Sequence, residues 1–347
     1  MKESNENIKH EIYLNALRAF SAIAVIVIHV SANNWYGHIG SFNWYVFTIY
    51  EGISKVAVPL FFMISGGLLL DKKYSLKKIY LKIFKLVIFL VFWAFVYKII
   101  QLPVERRNYA GVKNSIKEIL YGDTQTHLWF VYSIIGLYVI TPILYNLVHS
   151  CSYNELLYAI AIIFFLDNLP ELLNLLGNMD VLINNINRIK SGFSFGYIGY
   201  YLLGYYLKKK DFTKNKRIVI YIMGVQSAIA LVLLVVIDCI KNQRLLERYW
   251  SYTMPLMVLY SCAFFIFFKN ITWKNQRILK VLDKISEYSL GIYGVHFVFI
   301  IILWKVGFTT FTFNSLLSVP FISMSVLCCS YVAAAFLRKI PIINKFL

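Results

Sequence analysis

The chain has 347 residues, of which 59% are hydrophobic, 17% aromatic and only 15% charged, and its mean hydropathy is +0.63. A soluble domain is roughly half apolar and one-quarter charged, so these proportions exclude an ordinary globular enzyme and indicate an all-α, polytopic membrane protein. The formal charge of +18 does not imply nucleic acid, because the basic residues punctuate hydrophobic spans and no soluble basic domain carries a footprint.

The first apolar run, residues 12–32, contains Arg18 and His29. At about 100° and 1.5 Å per residue their spacing amounts to roughly three turns and about 16 Å, with only about 20° of drift. Both side chains therefore lie on one helix face, with Ala22 and Val25 between them. An intramembrane cation and imidazole on a shared face line a pocket or polar passage rather than meet lipid. Val30-Ser31-Ala32 imitates a signal-peptidase site, but the two ionisable residues and the length of the run favour an uncleaved helix.

Nine further apolar runs follow, at about 45–70, 84–101, 127–148, 155–170, 193–207, 218–238, 250–268, 287–305 and 318–337. The expected architecture is thus about ten transmembrane helices around a central polar pore. The fifth and sixth are short for a bilayer of about 30 Å. Lys55 lies inside the second run, with Glu51 one turn away as its nearest partner. Lys78, Lys82 and Lys85 follow at a spacing that places them on one helix face. His127 and Trp129 open the fourth run, where aromatic residues anchor helices at the interface. His296 is mid-span, nine residues after Glu287 and so about half a turn out of phase with it. The five cysteines have no CxxC spacing, and neither a disulfide framework nor a metal site is expected.

With the N-terminus inside, internal segments hold 22 Lys and Arg, external loops hold nine, and four lie within spans. The positive-inside rule then places both termini in the cytoplasm of a multi-pass protein of the plasma or inner membrane. No internal repeat and no long linker divides the sequence, so residues 1–347 read as one membrane domain.

Four ordered stretches carry a resemblance. Asn15-Ala16-Leu17-Arg18 through His29 resembles the first-helix Arg/His motif of the membrane-bound acyltransferase 3 family. Pro59-Leu60-Phe61-Phe62-Met63-Ile64-Ser65-Gly66 is similar to its second-helix signature, and His127-Leu128-Trp129-Phe130 with Tyr138 and Pro142 to a later one. Ser289-Leu290-Gly291-Ile292-Tyr293-Gly294-Val295-His296 resembles its late helix. The ten-span layout without an appended extracytoplasmic domain is similar to the enterobacterial common antigen O-acetyltransferase type. The sequence departs from the family pattern at Asn15, usually Asp, at Ala19, usually Gly, and where Lys78, Lys82 and Lys85 replace an arginine pair. Lysine still binds phosphate as a point charge but loses bidentate geometry.

The resemblance implies transfer of an acyl group, usually acetyl, from cytoplasmic acyl-CoA to a hydroxyl of an extracytoplasmic glycan or lipid-linked sugar. Acetyl-CoA is then a donor substrate, and no permanently bound cofactor is implied. Arg18, Lys78, Lys82 and Lys85 take the donor-binding role, and His29 the catalytic one. Asn15, Lys55, His127, Trp129, Glu287 and His296 are candidates for the pocket and acceptor side. Imidazole titrates near neutral pH, so His29 suits proton abstraction from a sugar hydroxyl; an acylated imidazole that passes the group on is the other route. A transporter or exporter of a glycan or small solute is the rival class. It lacks support from paired halves with matching broken helices.

Overall fold

The computed structural model describes residues 2–101, 119, 125–176 and 195–346. Among these, twelve α-helices and three short 3-10 turns occur and there is no β-strand. In chain order the helices are α1 (Lys2–Ala32), α2 (Phe42–Ser54), α3 (Ala57–Leu69), α4 (Leu76–Gln101), α5 (Trp129–Ser150), α6 (Tyr153–Leu176), α7 (Phe195–Lys209), α8 (Lys214–Asn242), α9 (Pro255–Asn270), α10 (Gln276–Glu287), α11 (Ser289–Lys305) and α12 (Ser315–Leu337). The described residues include seven helical segments long and apolar enough to cross a membrane, or eight if the bent pair α10–α11 counts as one span. Helices also form at the fifth and sixth expected positions. However, α7 has 15 residues, about 22 Å by helix rise, which is short for the hydrocarbon core.

Two breaks shape the site. The second expected span, 45–70, consists of two helices, α2 and α3, interrupted at Lys55 and Val56. The cause is local: Pro59 has no N–H to give to the Lys55 carbonyl, so the helical ladder lapses there. At the other end of the chain, α10 and α11 meet at 76°. Asn275 starts α10 by accepting the N–H groups of Arg277 and Ile278 at 2.9 and 3.3 Å. Its apolar residues lie on one stripe, as in a helix lying along an interface.

At the centre α3 packs tightly on α7, whose residues Gly199 through Lys208 are all buried. Gly66 and Gly204 make this approach feasible. A Cβ on Gly66 meets the Tyr201 carbonyl oxygen at 1.8 Å, and one on Gly204 meets that of Met63 at 1.9 Å. Small residues therefore serve helix packing within the chain, as in other membrane bundles. α1 threads the bundle and touches α2, α3, α9, α10, α11 and α12, so its polar face is surrounded on most sides by protein.

Candidate functional site

Three histidines from distant parts of the chain converge. His29 comes from the last turn of α1, His127 from the 3-10 turn Thr126–Leu128 that precedes α5, and His296 from α11. Ring centroids are 5.2 Å apart for His29 and His296, 5.8 Å for His29 and His127, and 5.2 Å for His127 and His296. Phe297 backs all three, with His127 stacked on it at 5.3 Å.

The cluster is held by hydrogen bonds that set its chemistry. His296 Nδ1 lies 2.7 Å from the Tyr293 carbonyl oxygen. A carbonyl only accepts, so Nδ1 carries the proton and Nε2 presents a lone pair. The Tyr293 hydroxyl donates to the carbonyl of His127, and the Tyr97 hydroxyl donates to that of Gly294 at 2.7 Å. α4, α5 and α11 are thereby pinned around the rings. His296 Nε2 and both ring nitrogens of His127 are buried without a partner among the described residues. A buried polar atom left unsatisfied costs about 1–3 kcal/mol, so this arrangement marks a place where polar groups of a ligand fit. His29 alone of the three keeps partial exposure.

Lys55 and Glu51 form a buried ion pair of 3.2 Å beside the break between α2 and α3. Lys55 Nζ lies 4.8 Å from the Trp250 ring centroid and 5.8 Å from that of Tyr252, and it is within electrostatic reach of His29. Glu51 Oε2 and Trp250 Nε1 have no partner among the described residues. Tyr252 continues into a shelf with Trp129, stacked at 5.7 Å, and Tyr197, 5.5 Å from Trp129. Next to it a polar cavity of about 240 Å³ is lined by Asp167, Gly196, Tyr197, Ser251, Tyr252 and Thr253.

Arg18 lies about three turns before His29, near the middle of α1. Its Nη1 donates to Ser286 Oγ at 3.4 Å, Ser286 donates to Asn15 Oδ1 at 3.3 Å, and Asn15 Nδ2 donates to Asp283 Oδ1 at 3.1 Å. Asn15 thus fastens α1 to α10 beside the guanidinium. Lys78, Lys82 and Lys85 are exposed on the first turns of α4. Lys82 is within electrostatic reach of Lys85 and Arg18, and its Nζ lies 5.7 Å over the Tyr74 ring. Between the two polar ends, Ala22 and Val25 are 4% and 5% exposed, so packing closes the face of α1 at that level. Glu287 is placed elsewhere. It is the last residue of α10, and its carboxylate accepts from Arg338 Nη1 at 2.7 Å.

The convergence of His127 and His296 on His29 is invisible to helical spacing, which relates residues within one helix only. Tyr197, Trp250 and Tyr252 gave no signal beyond belonging to an aromatic-rich sequence. Among the described residues no group of three His, Cys, Asp or Glu side chains is arranged to hold a metal ion.

No curated protein and no solved structure matches the chain. The family model described as an acyltransferase domain, that of the acyltransferase 3 family, matches residues 11–335. That span contains α1 from residue 11 onward, all of α2 to α11 and nearly all of α12, together with the three histidines, the ion pair, Asn15 and Arg18. The chain therefore belongs to the acyltransferase 3 family and is a membrane acyltransferase.

Proposed function

We propose that the protein transfers an acetyl group from cytoplasmic acetyl-CoA to a hydroxyl of a glycan or lipid-linked sugar on the far side of the membrane, in the manner of the enterobacterial common antigen O-acetyltransferase type. The single observation that carries this reading is the gathering of His29, His127 and His296 at one end of a helix that presents Arg18, about three turns earlier, beside exposed lysines. The basic end suits the phosphates of coenzyme A, and the imidazole end suits proton transfer from a hydroxyl.

In this reading the acceptor hydroxyl gives its proton to a ring nitrogen of His29 as its oxygen attacks the thioester carbonyl carbon. The tetrahedral adduct collapses with cleavage of the C–S bond, and the imidazolium returns the proton to the departing thiolate, releasing free CoA and an acetyl ester. Lys55 is the nearby cation that faces the developing oxyanion, and the Trp129, Tyr197 and Tyr252 shelf supports the sugar ring. Tight packing at Ala22 and Val25 means that donor binding must part the face of α1 before the acyl arm reaches His29.

The experiment is thiol release by the purified protein in lipid nanodiscs, with acetyl-CoA and the glycan fraction of a deletion strain as acceptor. Acceptor-dependent release of CoA thiol with a matching new acetyl ester is the expected result. Export of the glycan across a vesicle membrane with no thioester consumption is the result that overturns it.

A further inference from the structure

A cavity of about 300 Å³ opens between the α3–α4 loop and the last turns of α5. Lys72, Lys73 and Tyr74 form one wall, and Pro142, Tyr145 and Asn146 the other. None of these six belongs to the histidine cluster, and none lies on the lysine face of α4.

The chemistry of the walls is specific. Lys72 and Lys73 are exposed, while the adjacent carboxylate of Asp71 is already bound by Lys208, at 2.8 Å, and by Lys209. The mouth of the cavity therefore keeps its positive charge instead of losing it to its nearest acid. Across from the lysines, the Tyr145 ring is stacked on His149 at 4.0 Å and 27°, and His149 Nδ1 donates to the Tyr145 carbonyl at 2.8 Å. A ring fixed in this way, beside Pro142, is a stacking surface for a planar base. The Asn146 amide offers both a donor and an acceptor to a base edge. The volume is at the lower limit for ligand cavities, roughly 300–1,000 Å³, which suits one nucleotide rather than a whole coenzyme. Tyr74 links the cavity to the site already described, since Lys82 stands over its ring and lies within reach of Arg18.

We propose that this cavity binds the nucleotide end of the acyl-CoA donor, with Lys72 and Lys73 on its phosphates and the base between Tyr145 and Asn146. The inference rests on the acetyl-CoA reading above and assigns the donor's anchor to residues outside the α4 lysine face. The pantetheine arm leaves past Tyr74 toward Arg18.

The test uses the full chain in phosphatidylcholine nanodiscs and adenosine 3′,5′-bisphosphate as the calorimetric probe, followed by thiol release with acetyl-CoA and with S-acetyl-pantetheine, which lacks the nucleotide. Wild type is expected to bind the bisphosphate, and the double variant K72A/K73A to bind it about tenfold or more weakly, as loss of two charge-assisted contacts requires. Tyr145→Ala weakens it several-fold, and Lys77→Ala leaves it unchanged. In turnover, K72A/K73A raises KM for acetyl-CoA by a similar factor with kcat retained, and leaves KM for S-acetyl-pantetheine as in wild type. Absence of bisphosphate binding to wild type, wild-type binding by K72A/K73A, or an equal rise of KM for both donors overturns the assignment. Wild-type binding that is lost in K72A/K73A, with no thiol release from either donor, upholds the nucleotide pocket and sinks the acyl-transfer reading instead.

Discussion

The imidazoles of His29 and His296 stand 5.2 Å apart with their planes tilted by 32°, although one belongs to the first helix and the other to the last but one. The backbone bond of His296 Nδ1 leaves the lone pair of its Nε2 without a partner. In the acetyl-transfer reading proposed above, an N–H of His29 directed at that lone pair would leave the other His29 nitrogen for the acceptor hydroxyl. On that reading His296 would act on the reaction as a positioning residue, through His29.

His29→Ala is expected to lower acceptor-dependent thiol release on the order of 10²–10⁴-fold, the range of a lost general base, with normal membrane insertion and a monodisperse elution profile. Retained turnover removes His29 from the chemistry.

His296→Ala lowers kcat about tenfold or more, by misorienting the base, while KM for acetyl-CoA stays near the wild-type value. His296→Gln, whose amide oxygen supplies an acceptor, recovers part of the loss. Equal kcat values for the two variants, or a loss confined to KM, rule out the positioning role.

Breaking the buried pair at the helix interruption has a defined stability cost. Lys55→Met strands the Glu51 carboxylate, 3% exposed, and loss of one partner of a buried pair costs about 3–5 kcal/mol. The double variant K55M/E51Q removes both charges and is expected to melt well above the single variant in detergent. A double variant no more stable than Lys55→Met contradicts the pairing.

Gly66→Ala and Gly136→Ala separate close packing from helix propensity. The first drives a methyl group into the Tyr201 carbonyl and should cost about 1–3 kcal/mol through overpacking. The second meets nothing within 4 Å and should be neutral, or gain up to about 1 kcal/mol from propensity. Thermal melts of the two proteins check the contrast.

Acid sensitivity is expected at Asp71. Burial pushes its carboxyl up, but the hydrogen bonds and charges of Lys208 and Lys209 outweigh burial and hold it below the usual carboxylate value of 3.8. A depressed folded-state value contributes stability above the unfolded value and loses it as pH falls through the folded one. Asp71→Asn should therefore lower the melting temperature near neutral pH and leave a progressively smaller difference from wild type as the pH falls below the usual carboxylate value. A difference that is constant across that range excludes the linkage.

From the residue order one could read the membrane class, most of the spans and the alignment of Arg18 with His29, because these depend on hydropathy and on the 100° step of a single helix. The α2–α3 break is not among these, since hydropathy runs unbroken across 45–70 while Pro59 interrupts the hydrogen-bond ladder. Lys55 pairs with Glu51 as local spacing indicates, but only the bundle brings Trp250 and Tyr252 over the ammonium. Likewise, Gly204 is a small residue in any reading of the sequence, and only the packing of α7 on α3 assigns it to Met63. Glu287 looked equivalent to other ionisable residues near a span; the 76° turn into α11 directs it to Arg338. The meeting of His29, His127 and His296 belongs to the tertiary structure alone. Periodicity governs neighbours on one helix, whereas contacts between α1, the turn before α5 and α11 arise from how glycine-lined and aromatic faces close on one another across long stretches of chain.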